Sequence, residues 1–250
     1  MLETPDEAAA AVAAECRFII RVTRVLARRG IWRFVAVGDG CYPLVHQTLL
    51  GFGSLYRVAY AGTAVRNVPG DLTVSVTGDI RDPGLVTSSQ VIRELFGDDD
   101  RPIAVLVTGV LDQLADAGEA RRYVSAVMDW VPAGSFLAAS LAWTDGTDTG
   151  TKTTAGTAIM RGTLADITAL FDGLTLLRPG VVEVSRWRVS GAARTEGDTT
   201  VLRRAAGVAR KDMVRSGSGA AAYATRPPTL VDSASRSGTQ ADGHGLRTRM

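Results

Sequence analysis

Residues 34–46, FVAVGDGCYPLVH, decide how the chain is read. Phe34 to Val37 form the short apolar run that a buried strand needs, Gly38 and Gly40 bracket an aspartate in a turn, and a helical segment begins near Leu44. Strand, glycine turn and helix make the first half of a βαβ unit. Such a turn lets backbone N–H groups approach a ligand at the carboxyl edge of the sheet, which makes Gly38 and Gly40 the natural contacts. The dinucleotide fingerprint is incomplete. Pro43 stands where G-x-G-x-x-G wants its third glycine, and no Asp or Glu near residue 58 is placed to hold a ribose, which disfavours a nicotinamide dehydrogenase.

The same rhythm continues on both sides. Residues 8–29 place Val12, Cys16, Ile19, Thr23 and Leu26 on one face at helical spacing, with arginines late and Gly30 just past the end as a cap. An amphipathic helix packed on a sheet is expected there. YRVAYA and LTVSVTG read as strands, PGLVTSSQVIRELF as a helix, and PIAVLVTGV as a central strand covered on both faces. Helical AGEARRYVSAVMDWV and the strand SFLAASLA follow, so a parallel sheet is expected. TDGTDTGTKTTAGT, residues 144–157, reads as a polar loop and TLADITALFDG as a helix. LTLL and VVEVSRWRV are then joined at Pro179 and Gly180, a connection short enough to allow only antiparallel pairing, because a parallel crossover needs about a dozen residues. The sheet is expected to close with a C-terminal hairpin.

A chain of 250 residues and 26.4 kDa, 46% apolar with mean hydropathy +0.09, can build one full core without splitting. Residues 1–190 are expected to be that domain. They carry 18 Lys+Arg against 21 Asp+Glu, whereas residues 191–250 carry 10 against 5, so the basicity lies in the tail. This Arg/Ser/Gly/Ala-rich tail is read as largely disordered, and as disordered from Arg215 onward, with one weakly helical piece around TVLRRAAGVARKDMV; so few large apolar groups cannot offset the ordering entropy. It lacks the aromatics and dense basic blocks of a nucleic-acid binder, and His244 within it is read as inert.

Cys16 and Cys41 have no metal or redox spacing, and DDD at 98–100 has no companion ligands, so no metal is expected. The chain opens acidic, MLETPDE, unlike a signal peptide, and its longest apolar runs fall short of the roughly 20 residues of a membrane span. A cytoplasmic protein is expected.

The segment from Phe171 to Arg188 carries a pattern close to F-D-G-L-x-L-x-x-P-G-V-V-x-x-x-x-W-R, matched by Phe171, Asp172, Gly173, Leu174, Leu176, Pro179, Gly180, Val181, Val182, Trp187 and Arg188. It resembles the C-terminal segment of the S-adenosyl methyltransferase family. TGDIRDP resembles that family's A-D-L-R-D-P after the third strand, DRPIAVLVTGVL its fourth strand, and RFIIRVTRVLA the helix before the first, so the likeness runs over residues 15–189. It implies a Rossmann-like class I methyltransferase fold: a seven-stranded, mostly parallel sheet with an antiparallel C-terminal hairpin and helices on both faces. It also implies S-adenosylmethionine as cofactor.

The resemblance places that cofactor on Gly38, Asp39, Gly40, Gly62, Thr63, Asp79, Ile80 and Thr108. Two family acids are replaced. Where the first motif resembles F-L-D-I-G-T-G this chain has Ala36 for the acid, and where the second resembles V-V-Y-V-D-N-D it has Gly62, Thr63 and Ala64. Hydrogen bonds to charged groups contribute about 1.5–3 kcal/mol each, so the two losses predict cofactor binding weaker by about two to four orders of magnitude unless other groups substitute. Asp39 either substitutes for the first-strand acid or is an ordinary turn residue. Asp79 either reads the adenine or, like Asp82, caps the helix near Pro83. Asp112, where the family has a histidine, is the candidate general base; otherwise it is a loop or N-cap group. His46 is read as structural.

Glu15 and Cys16 replace an Asn-Arg pair of the family's helix. Met1 also lies after the place of a family stretch resembling A-R-x-Y-D-Y-x-L-G-G-K-D-N that helps cover the active site, which implies a displaced start or an open site. Two functions follow: a methyltransferase, or a binding or regulatory module that kept the scaffold and lost the cofactor.

Overall fold

The computed structural model describes residues 5–39, 43–52, 56–64, 72–143, 150–154, 157–188 and 203–212. Helix α1 (Pro5–Ala27) leads into β1 (Arg33–Val37), α2 (Leu44–Leu50), β2 (Arg57–Gly62) and β3 (Thr73–Thr77). Two short helices, α3 (Gly84–Thr87) and α4 (Gln90–Phe96), precede β4 (Ala104–Val107), a 3₁₀ turn at Leu111–Gln113, α5 (Ala117–Trp130) and β5 (Phe136–Trp143). The chain then forms β6 (Gly150–Thr154), β7 (Thr157–Arg161), α6 (Leu164–Ala169), β8 (Leu174–Leu176), β9 (Val182–Glu183) and β10 (Arg203–Lys211).

Local chemistry sets the helix ends. Gly30, at φ +81°, closes α1 in a conformation that costs a glycine little. Ser89 interrupts the single helix expected over residues 83–96, because its hydroxyl accepts the Ile92 N–H and starts α4 afresh. Asp116 caps α5 through the Glu119 N–H, and Thr163 and Asp166 form a capping box on α6.

The sheet runs β3-β2-β1-β4-β5-β10-β8, with β9 also on β10. Strands β1 to β5 pair in parallel, Val35 lying between Ala59 and Val105, as the expected mostly parallel sheet requires. Successive side chains of a strand point to opposite faces, so two cores form. Val35, Val37, Val105 and Leu137 pack toward α3–α6, while Phe34, Tyr60, Leu106 and Phe136 pack toward α1 and α2. On α1 the buried stripe is Phe18, Ile19, Val22 and Leu26; Val12, expected on it, is 50% exposed.

The C-terminal strands are antiparallel as expected, but different segments pair. LTLL and VVEVSRWRV do not pair with each other: β8 and β9 both lie along β10, with Ala209 opposite Leu176 and Ala206 opposite Val182. Residues 203–211, expected to be weakly helical tail, fill the slot between β5 and that edge, Arg204 opposite Ala142 and Arg210 opposite Phe136. The domain therefore extends past the boundary expected at 190. The strand is covered on both faces, and only small residues fit there: a Cβ on Gly207 would stand 2.9 Å from the Phe171 ring. Trp187, fully buried, meets Phe18 edge-on at 5.5 Å on the opposite face. Arg21 ties α1 to this segment by donating to the carbonyls of Trp187 and Val184 at 2.9 and 2.5 Å.

The expected loop over 144–157 is also corrected. Residues 150–154 and 157–161 form a two-stranded antiparallel hairpin, consistent with the β preference of its threonines. The tail beyond Asp212, with His244, lies outside the described residues, as do Gly40 and Cys41. Among the described residues no helix is long and apolar enough to cross a membrane.

Candidate cofactor site

Parallel strands end on one edge, and that edge collects the residues singled out from the sequence. Gly38, Thr63, Asp79 and Thr108 follow closely on the last residues of β1, β2, β3 and β4. Gly38 sits at φ +121°, and a Cβ there would lie 2.1 Å from the Thr108 carbonyl oxygen. Only glycine lets the two strand ends approach so closely. The Gly38 N–H already donates to the Ala61 carbonyl at 2.9 Å, and the buried Thr108 donates its N–H to Val37 at 3.1 Å. These two residues therefore pack the ends of β1 and β4 closely together.

Asp39 bridges two strand ends. Its carboxylate crosses from the β1 turn to the end of β2, accepting the Thr63 N–H at 2.7 Å, the Thr63 hydroxyl and the Ala64 N–H at 3.4 Å. It puts a carboxylate at the tip of β2, beside buried Gly62, where the sequence has none.

At the end of β3, Asp79 accepts from Arg81 on both oxygens, at 2.9 Å from Nε and 2.8 Å from Nη2, and from the Arg81 N–H at 3.0 Å. Those hydrogen bonds pull its pKa down to about 2. The turn into α3 is served by Asp82, which accepts the Gly84 N–H at 2.8 Å, so Asp79 is not the cap. Ile80 is 1% exposed and packs in the core against the sheet.

Asp112 is neither a solvated loop residue nor free to act as a base. It is 4% exposed, accepts the Ala142 N–H at 2.7 Å, and is paired with the buried Arg204. Burial opposes the Arg204 charge, but Asp112 and Glu15 overcome it and hold the guanidinium pKa above its usual value. Glu15 sits 3.3 Å from Arg204 Nε and accepts the Ser140 hydroxyl. Sequence reasoning missed Arg204 because it assigned that segment to the tail; the signal was an arginine pair leading into five small apolar residues.

His46 is structural, its ring edge-on to Tyr56 at 5.6 Å and its N–H donated to the Tyr60 hydroxyl at 2.9 Å. Among the described residues no group of three or more His, Cys, Asp or Glu side chains is arranged to hold a metal.

A sheet of this order, with its antiparallel C-terminal strands and a glycine turn after β1, is that of the class I methyltransferases. The chain belongs to the S-adenosyl methyltransferase family, whose sequence model matches residues 1–212. Similar solved structures include a candidate methyltransferase from Thermobifida fusca, 23% identical with TM-score 0.67, covering 82% of each chain. A DUF574-family protein from Streptomyces avermitilis is 24% identical with TM-score 0.67, covering 80% of this chain and 83% of its own. The 1,6-didemethyltoxoflavin-N1-methyltransferase of Burkholderia thailandensis, solved with bound 1,6-didemethyltoxoflavin and S-adenosylhomocysteine, is 14% identical with TM-score 0.52, covering 85% of this chain and 92% of its own. No curated protein matches the sequence.

Proposed function

We propose that this chain is an active S-adenosylmethionine-dependent methyltransferase whose cofactor lies across the carboxyl ends of β1 to β4. The observation that carries this reading is the reach of Asp39 to Thr63, which gives the tip of β2 the carboxylate its own sequence lacks. The residues present fit the group: Gly38 has no side chain to force the ends of β1 and β4 apart, and acids at the ends of β2 and β3 suit a ligand with ribose hydroxyls, an amine and a net positive charge.

When bound, S-adenosylmethionine supplies a methyl group on a positively charged sulfur. Asp39, oriented by Thr63, accepts the ribose hydroxyls. Asp79, kept ionised by Arg81, accepts the adenine amine. Gly38 and Gly62 provide backbone close to the ligand, Ile80 and Thr108 pack beneath it, and the sequence motif adds Gly40 to the set. The chain's contribution is alignment and electrostatics.

Calorimetric titration with S-adenosylmethionine and S-adenosylhomocysteine tests this. A Kd tighter than about 100 μM, or about 5.5 kcal/mol, is expected for each. Absence of heat with both ligands favours the rival, a binding or regulatory module, for which the full engagement of Asp79 by Arg81 is the supporting observation.

A further inference from the structure

Eight arginines gather on the α1 side of the sheet, where the cofactor reading uses none of them. Arg17, Arg21, Arg24 and Arg28 stand at i, i+4, i+7 and i+11, so they form one stripe about 16 Å long on α1 and the turn that follows it. Arg21 joins the stripe to the segment after β9 through its bonds to the Val184 and Trp187 carbonyls. There the Arg188 guanidinium lies 5.4 Å from the centroid of the Trp187 ring and donates from Nε to the Arg178 carbonyl at 3.0 Å. Arg29 and Arg186 complete the set, and all but the half-buried Arg21 are exposed.

Little negative charge answers them. Residues 16–31 and 177–188 hold the eight arginines and one acid, Glu183, 3.5 Å from Arg186, while the rest of residues 1–190 holds 10 Lys+Arg against 20 Asp+Glu. The helix dipole favours cations only in the last turn of α1, so it accounts for Arg24 but not for Arg17 or for the arginines at 178–188. Crowding shows in the arginines themselves: burial and then Arg17 lower the Arg21 pKa, and burial and then Arg188 lower that of Arg29.

What the patch lacks selects its partner. No large aliphatic or aromatic side chain of these two segments is exposed, Phe18 and Trp187 being fully buried. A helix lying on a membrane inserts apolar side chains, a protein interface has an apolar centre, and unpaired bases stack on aromatic rings. A duplex backbone needs none of these. It offers one negative charge per about 1.7 Å of axis to guanidinium forks that bind phosphate oxygens in pairs, and salt of about 0.1 M screens the acidic remainder of the domain beyond about 10 Å.

We propose that this arginine face is a docking surface for the phosphate backbone of a double-stranded nucleic acid, bound without regard to sequence. The proposal is independent of the cofactor reading, because the C-terminal half of α1 feeds the amino end of β1, away from the strand ends that gather Gly38, Thr63, Asp79 and Thr108.

The test is fluorescence anisotropy of a labelled DNA duplex of about 20 base pairs, titrated with the full chain between about 50 and 200 mM salt. A micromolar Kd is expected at the lower salt, with the association constant falling on a log–log slope of about −3 to −4, as for about four phosphate contacts. Arg17→Gln with Arg24→Gln, both at exposed positions, is expected to weaken binding about tenfold at the lower salt and to reduce the slope by about 2. The charge-matched pair Arg121→Gln with Arg122→Gln, on α5 at the other face of the sheet, is expected to change neither. No binding by the unaltered chain at about 50 mM salt, or equal losses in the two double variants, overturns the proposal. Tighter binding to phosphatidylglycerol vesicles or to polyglutamate than to the duplex overturns it as well.

Discussion

Asp79 is held so that its charge is fixed at any pH the protein meets. Its pKa of about 2 lies below the ordinary value, so whatever the pair with Arg81 contributes is complete above about pH 4 and is lost as pH falls through about 2. An NMR titration of the Asp79 carboxyl carbon is expected to give a midpoint near 2, moving toward about 3.9 in Arg81→Ala; an ordinary midpoint in the unaltered chain would contradict the clamp. Asp39 is the second test at this scale. Asp39→Asn removes the carboxylate that serves the tip of β2, and a loss of about ten- to a hundredfold in S-adenosylmethionine affinity is expected by calorimetry. Affinity unchanged by the substitution would take Asp39 out of the site. That Gly38, Thr63 and Asp79 stand at strand ends was legible because the strands before them show in the apolar pattern. The partner of Asp39 was not, because its contact spans 24 residues of sequence and depends on how two loops lie together.

At the scale of the element, β10 is where sequence reasoning went furthest astray. Alanine favours helices intrinsically, and a strand covered on both faces has no polar alternation to announce it. Packing overrides the preference here, since Phe171 on one face and Trp187 with Phe18 on the other leave room only for Ala205, Ala206, Gly207, Val208 and Ala209. The family pattern from Phe171 to Arg188 was visible, but it supplies only the edge segments β8 and β9. The strand that both of them pair with comes later. A chain ending at Ser190 therefore lacks the neighbour of β5, β8 and β9, and it is expected to lose the cooperative thermal transition of the full chain in calorimetry. Retention of that transition would mean that β10 is dispensable.

For the molecule as a whole, Arg204 joins parts that are far apart in the chain: α1, the turn after β4, and the last strand. Removing one partner of a buried ion pair leaves charge without compensation, which typically costs about 3–5 kcal/mol. Arg204→Ala is expected to destabilise by about that amount in urea unfolding, and a change under about 1 kcal/mol would show the cluster to be marginal. The class of fold was legible at this scale because the alternation of strands and helices survives in hydrophobic pattern alone. The polar bolt through it was not, because its members lie on four separate elements.

The position of β10 also bears on how the protein is made. A chain emerging from the ribosome completes β5 well before residues 203–211 appear, and until they do that long apolar strand presents a raw border to any passing polypeptide. The last strand of the sheet to be synthesised is thus the one that seals it, and the nascent chain depends on its prompt arrival, or on a chaperone, to stay clear of aggregation.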